Sequence, residues 1–153
     1  VDAVHYNDGS GGKHLHMKAG GSLNPASEET VRAGMHYIYQ EGKEVYRFAV
    51  RGMADVALEI VQLNHLTPAD IQLLVPHQAN IRIMEAAQKR LGLPDEKVAV
   101  TIDRFGNTTS ASIPSALKVA YDEGRVKKGD HVVLVSFGAG FTWGAALLRW
   151  CID

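Results

Sequence analysis

Between Glu44 and the end of the chain, segments with apolar residues at three- and four-residue spacing alternate with short, uniformly apolar runs. That alternation restricts the fold more than any other feature of the sequence. Val45, Phe48, Ala49, Met53, Val56, Ala57, Ile60 and Val61 recur on one face, which predicts an amphipathic helix over residues 44–63. Thr67-Pro68-Ala69-Asp70 offers a cap and one helical turn, after which Ile71-Gln72-Leu73-Leu74-Val75 reads as a short buried strand that Pro76 stops. Asn80 is suited to cap a second helix with Ile81, Met84, Ala87 and Leu91 on one face and Gly92 at its close. Val98-Ala99-Val100-Thr101 reads as a second strand, and Ile113, Ala116, Leu117, Ala120 and Tyr121 mark a third helix ended by Gly124. The runs at residues 132–136 and 145–150 form a strand pair around the glycine-rich turn Phe137-Gly138-Ala139-Gly140-Phe141-Thr142-Trp143-Gly144. Helix, strand, helix, strand, helix, strand, strand is the order of an α/β protein with a mostly parallel sheet and an antiparallel end.

The first 43 residues break this pattern. Val1 to Tyr6 alternates weakly like a strand, but Asn7-Asp8-Gly9-Ser10-Gly11-Gly12 and Ala19-Gly20-Gly21-Ser22-Leu23-Asn24-Pro25 are turn chemistry. So long an irregular stretch suggests a lid, an interface arm or surface that lacks its partner. Across 153 residues, 46% hydrophobic and 22% charged composition permits a real core and excludes a disordered chain. A net charge of -1 provides no overall field for nucleic acid or anionic membrane, so any polyanion must be held locally. No apolar run approaches the roughly 18 residues of a membrane span. The single cysteine, Cys151, cannot form an intrachain disulfide, which fits a reducing cytosol. The chain opens on Val1 rather than Met, and we expect it to be processed or cut from something longer.

In open α/β sheets, functional groups gather just past the carboxyl ends of strands. Three segments are predicted there: Pro76-His77-Gln78-Ala79-Asn80, Gly106-Asn107-Thr108 and the glycine-rich turn. A neutral imidazole and a primary amide can each donate one hydrogen bond to a carbonyl oxygen that gains negative charge during a reaction. Backbone amides freed by glycines are suited to a second anion site. Singly, each has an ordinary structural reading: a histidine after a strand is commonly structural, Asn after Gly is a turn former, and Gly138, Gly140 and Gly144 suit a hairpin. A dinucleotide fingerprint is excluded, because the glycine spacing is wrong and the segment leads into a strand. His14 and His16 have no third ligand beside them, so no metal is expected and a solvated loop is the reading for both.

Taken in order, Val75-Pro76-His77-Gln78-Ala79-Asn80-Ile81-Arg82, Phe105-Gly106-Asn107-Thr108-Thr109-Ser110-Ala111-Ser112-Ile113-Pro114 and the turn from Phe137 to Gly144 resemble the C-terminal half of 3-oxoacyl-[acyl-carrier-protein] synthase III, in the thiolase superfamily. Gly42-Lys43-Glu44-Val45-Tyr46-Arg47-Phe48-Ala49-Val50 extends the likeness, which covers essentially the whole chain. The resemblance implies one half of a thiolase-like α/β fold, with a mixed, mostly parallel five-stranded-type sheet and flanking helices. Residues 1–42 would be a strand and connecting loop from the preceding half, and residues 43–153 the C-terminal thiolase-like domain. It implies a decarboxylative Claisen condensation of an acyl-CoA with malonyl-ACP that initiates type II fatty-acid synthesis, with no cofactor. By the family pattern, His77 and Asn107 bind the malonyl thioester oxygen as enolate charge develops, and the backbone N–H of Ala139 serves the acyl-cysteine carbonyl. Gln78, Ala79, Asn80, Ile81 and Arg82 match the segment that contacts the carrier protein, with Arg47 and Lys89 helping to meet the acidic carrier or the phosphates of its pantetheine arm.

The family's nucleophilic cysteine lies in the N-terminal half, on a helix N-terminus that lowers its pKa, and this sequence has none in a matching motif. Cys151 reads as a small apolar residue. Alone, the chain is expected to be inactive, a part of an enzyme of roughly 300 residues whose other half brings the cysteine. The complete enzyme is expected to be a cytoplasmic homodimer. An isolated chain would expose apolar surface on the helix of residues 44–63 or of residues 113–121. Two alternatives stand beside this reading: a non-catalytic or half-site subunit of a split heterodimer, and a related acyl-thioester condensing enzyme whose product is not a fatty acid.

Overall fold

A computed structural model describes residues 2–153, and its regular elements follow the chain as β1 (Asp2–Asn7), β2 (Leu15–Met17), α1 (Glu28–Arg32), β3 (Ile38–Gln40), α2 (Gly42–Leu63), β4 (Ile71–Pro76), α3 (Ile81–Leu91), α4 (Ile102–Phe105), α5 (Ser112–Asp122), β5 (His131–Gly138) and β6 (Thr142–Arg149). A four-stranded sheet in the order β1-β6-β5-β4 forms the centre. β4 and β5 pair in parallel, with Val75 opposite Leu134, whereas β5 and β6 form an antiparallel hairpin with Phe137 opposite Trp143. The parallel strand β4 is covered on both sides and is apolar on both, with Ile71, Leu73, Leu74 and Val75 all fully buried.

The helices follow from their patterns. Val45, Ala49, Met53, Val56, Ala57, Ile60 and Val61 form one stripe of α2, packed on Val133, Val135, Ala145 and Leu147 of the sheet and on Ile83, Ala87 and Leu91 of α3. Full burial of a side chain such as Ile60 contributes about 1.5 to 3 kcal/mol. Asn80 caps α3 by accepting the Arg82 N–H at 2.9 Å, and Gly92 closes it at φ 64°, where a side chain would be strained. On the opposite sheet face, Ala116 and Ala120 of α5 pack against Leu73, Val75 and Val132.

Three expectations need correction. The segment from Val98 to Thr101 contributes a single parallel bridge, Leu74 to Val98, instead of a strand, so the five-stranded-type sheet has four strands and one bridge. The reason is a side chain: Gln78 Oε1 accepts the Thr101 and Ile102 N–H groups at 2.8 and 3.1 Å, and its Nε2 donates to the Ala99 carbonyl at 3.1 Å. Gln78 thus stands where a neighbouring strand would. Secondly, β1, expected as a strand of the preceding half, here extends this sheet: Asp2–Asn7 pairs antiparallel with β6, Val4 opposite Ala145.

Thirdly, residues 8–41 are an anchored arm. Asp8 and Phe141 exchange backbone hydrogen bonds at 2.8 and 2.6 Å, fixing the arm to the β5–β6 turn. Gly11 lies flat on the Phe141 ring, where a Cβ would sit 2.2 Å from Cδ2. Beyond it, β2 and β3 pair antiparallel, and Ser27 and Thr30 form a reciprocal capping box on α1. The most exposed apolar side chains lie on this arm, Leu23 at 99%, Tyr37 at 80% and Ile38 at 73%, and not on α5, whose Ile113 and Leu117 are half-buried against the sheet. α2 keeps Tyr46, Phe48 and Leu63 partly exposed.

Candidate active site

The end of β4, the loop after α4 and the β5–β6 turn converge on one cavity of about 700 Å³. His77, Asn107 and Ala139 all line it. The remaining wall is largely apolar: Leu15, Met17 and Ile38 from the arm, Val45, Tyr46, Ala49 and Met53 from α2, Ile83 from α3, and Phe137. Such a space suits a mostly apolar ligand with a few polar groups.

His77 directly follows β4 and extends its pairing, its backbone N–H donating to the Val135 carbonyl at 2.8 Å. The ring is partly buried, and Nδ1 lies 2.6 Å from the Ser112 hydroxyl at the start of α5. Burial moves the His77 pKa below its ordinary value of 6.5, because an imidazolium loses hydration there. His77 is therefore neutral at pH 7, with one ring N–H to donate.

Asn107 follows Gly106, whose φ of 65° turns the chain sharply out of α4. The Asn107 carbonyl oxygen accepts the Thr109 N–H at 2.9 Å in an Asx turn, and Thr109 is held at φ 52°, a region that β-branched residues rarely occupy. With its oxygen engaged inside the loop, the carboxamide has its NH2 left as the donor for the cavity. Ala139 sits in the β5–β6 turn, its carbonyl accepting the Thr142 hydroxyl at 3.0 Å. Among the described residues its N–H has no acceptor. One cavity is therefore lined by an imidazole, a carboxamide and a turn residue whose backbone N–H is free among the described residues, groups of the kind that can donate to developing negative charge on oxygen.

Around this centre the expected contact residues separate. Ala79 and Asn80 line the cavity, and Ile81, Arg82 and Lys89 are exposed on α3. Arg47 is exposed on α2, where it pairs with Glu44 and stacks over Phe48. Gln78 does not fit the expected contact: it is 1% exposed and bonds only inside the protein, to the Pro76 and Ala99 carbonyls and the Thr101 and Ile102 amides. Nor are His14 and His16 solvated. His14 bonds Glu41 at 2.6 Å and stacks on Phe141, and His16 lines the cavity beside Tyr39. Among the described residues no three His, Cys, Asp or Glu side chains are placed to hold a metal ion. Cys151 is exposed beyond β6 and not packed as an apolar residue.

Residues that the sequence reading missed are the cavity's apolar wall and Ser112. Ser112 carried a usable signal, a polar residue one position before the apolar stripe of a helix. The arm's contribution has no local signal, because its place is set by contacts with α2 and the distant β5–β6 turn.

Residues 61–150, more than half the chain, match the family described as 3-Oxoacyl-[acyl-carrier-protein (ACP)] synthase III C terminal. The chain belongs to this family. It is 58% identical over 143 residues to the beta-ketoacyl-[acyl-carrier-protein] synthase III of Symbiobacterium thermophilum, covering 94% of this chain and 43% of that protein. Over all 153 residues it is 51% identical to the synthase III of Porphyromonas gingivalis, covering 45% of it. The crystal structure of the synthase III from Thermus thermophilus superposes with a TM-score of 0.83 at 50% identity, over 97% of this chain and 45% of that one. A priming beta-ketosynthase from a polyketide biosynthetic pathway has a TM-score of 0.84 at 32% identity, over 97% of this chain and 44% of that one. The chain thus spans less than half the length of these synthase III relatives, and its fold is one half of a thiolase-like architecture. No helix among the described residues is long and apolar enough to cross a membrane.

Proposed function

We propose that this chain is the C-terminal part of a cytoplasmic condensing enzyme that starts fatty-acid chains by joining an acyl-CoA to malonyl-ACP. The observation that carries this reading is the convergence of His77, Asn107 and the Ala139 N–H on one apolar cavity. A cysteine thiolate from the N-terminal half attacks the acyl-CoA carbonyl and expels CoA thiolate, leaving the acyl group on sulfur. Malonyl-ACP then loses carbon dioxide, and the electron pair of the broken C–C bond passes to the thioester as an enolate. His77 and Asn107 each donate to the enolate oxygen. Since that oxygen is more negative in the transition state than in the bound substrate, the donors lower the barrier more than they strengthen binding. The carbanion attacks the acyl-enzyme carbonyl, the Ala139 N–H holds the resulting oxyanion, and collapse releases 3-oxoacyl-ACP and the thiolate.

A neutral His77 suits this task. A charged imidazolium would stabilise the malonyl carboxylate in the ground state, whereas a neutral donor favours the oxygen on which charge appears. Residues 43–153 carry the donors, and residues 2–42 add the edge strand and the arm's part of the cavity wall. Ala79, Asn80, Ile81 and Arg82, with Arg47 and Lys89 further out, receive the acidic carrier and its phosphopantetheine. A groove of about 350 Å³ lies over Ile113, Leu134, Gly144 and Ala146, and in this reading the complete enzyme is a homodimer. The polyketide-priming relative favours a second reading, the same chemistry with a product other than a fatty acid; analysis of the condensation product separates the two.

In the complete enzyme, His77→Ala and Asn107→Ala should each slow malonyl decarboxylation by about 10²- to 10³-fold, the loss expected for one oxyanion donor. Acylation of the cysteine by acyl-CoA should be nearly unchanged. Decarboxylation at the parental rate in both variants would contradict the assignment.

A further inference from the structure

Ser112 has no part in binding or chemistry as derived so far, yet it is a hydroxyl 2% exposed and in direct contact with the His77 ring. Its Oγ has two neighbours. The Gln78 backbone N–H, which can only donate, lies 3.3 Å away, and His77 Nδ1 lies 2.6 Å away. A hydroxyl carries one proton and accepts through its lone pairs. With the Gln78 amide already donating to the oxygen, the hydroxyl proton needs an acceptor, and among the described residues the only one within hydrogen-bond distance is His77 Nδ1.

We infer that Ser112 is a positioning residue that fixes His77 in the tautomer with an unprotonated Nδ1 and a proton on Nε2, aiming the ring's single N–H at the substrate oxygen. The inference deepens the proposed reaction and, for its catalytic consequence, rests on it. The opposite tautomer would leave the buried Ser112 proton without a partner and turn a lone pair toward the developing enolate. An imidazolium would oppose the Ser112 proton in the same way, so the contact acts in the same direction as burial in keeping the ring neutral. Gln78 holds the frame rigid: its backbone N–H meets Ser112, and its carboxamide ties the His77 loop to the segment leading into α4 and Asn107. Both donors therefore hang from one buried polar cluster. Clusters of this kind orient side chains sharply when every member is satisfied.

The test is ¹⁵N NMR of the His77 ring in the complete protein, with the resonances assigned by their loss in His77→Asn. In the parent, Nε2 should show a directly bonded proton and Nδ1 a hydrogen-bonded acceptor shift. In Ser112→Ala the Nδ1 resonance should move to that of an unbonded or mixed-tautomer nitrogen, and in Ser112→Thr, which keeps the hydroxyl, it should return. Malonyl decarboxylation should follow the same order, falling up to about tenfold in the alanine variant and recovering in the threonine variant. A proton on Nδ1 in the parent, a reading that needs no variant to fold, would overturn the inference, as would an Nδ1 resonance indifferent to Ser112→Ala. If the resonances behave as expected while decarboxylation is untouched, the tautomer assignment stands and the proposed reaction fails.

Discussion

Two regions wall the same cavity by different physical means. The donor platform, made of the His77 loop and the Asn107 loop, is held by short polar bonds among buried groups, with Gln78 and Ser112 at its centre. The arm of residues 8–41 is held by one two-way backbone exchange, by packing of Gly11 and His14 on Phe141 and by Leu15 against the core, and its distal part exposes Leu23, Tyr37 and Ile38. Directional bonds place atoms to within a fraction of an ångström, as donors to a developing oxyanion require. Apolar packing, which lacks directional bonds, tolerates adjustment, as substrates of different shape require. Under the proposed function, the platform would carry the chemistry and the arm would accommodate the substrate.

The comparison breaks most severely at Gln78. Gln78→Leu removes the partners of the Thr101 and Ile102 amides and of two carbonyls, and should cost about 3 kcal/mol of folding stability, read as a lower Tm and denaturant midpoint. Decarboxylation should fall with it, because both donor loops lose their tie. On the arm, Gly11→Ala drives a methyl into the fully buried Phe141 ring. It should cost about 1 to 3 kcal/mol and show first as faster proteolysis within residues 8–41, with malonyl decarboxylation largely kept. Equal damage to decarboxylation from the two substitutions would erase the distinction between the regions.

Just below pH 6.5, changing pH probes the platform through His77. The folded His77 pKa lies below the ordinary 6.5, so as pH falls below 6.5 the unfolded chain takes up a proton that the folded protein refuses. Stability should therefore decline from pH 6.5 downward until the folded pKa is passed, while decarboxylation persists into the upper part of that window because His77 is still neutral. His77→Asn should flatten this part of the stability profile; an unchanged slope would place the titration elsewhere. The smallest effect is expected at the exposed rim, where Arg82→Glu should raise KM for the carrier protein several-fold with little change in acylation by small thioesters.

The same contrast explains what the sequence made legible. His77, Asn107 and the glycine-rich turn lie in contiguous motifs next to apolar runs, so the platform's position at the carboxyl end of the sheet follows from pattern and alternation. The helices at α2, α3 and α5 were readable from their stripes, and Asn80 and Gly92 from their capping chemistry. Val98 to Thr101 looked like a strand because its composition is right; only the structure reveals that Gln78 takes the hydrogen bonds a ladder would use. Gln78 falls within the expected carrier-contacting segment, yet its neighbours in the motif line the cavity or face solvent while its own side chain is buried. The arm was illegible for a different reason. Its path depends on Phe141, far away in the chain, and on α2, and no local pattern in a stretch rich in glycine encodes such contacts.

The most direct measurement is a crystal structure of the complete enzyme with a malonyl thioester analogue that cannot lose carbon dioxide. The account predicts the thioester oxygen within about 2.7 to 3.1 Å of both His77 Nε2 and Asn107 Nδ2, with the acyl arm along the apolar wall of Val45, Ala49 and Ile83. A thioester oxygen bound away from both donors, with His77 and Asn107 contacting the malonyl carboxylate instead, would contradict it.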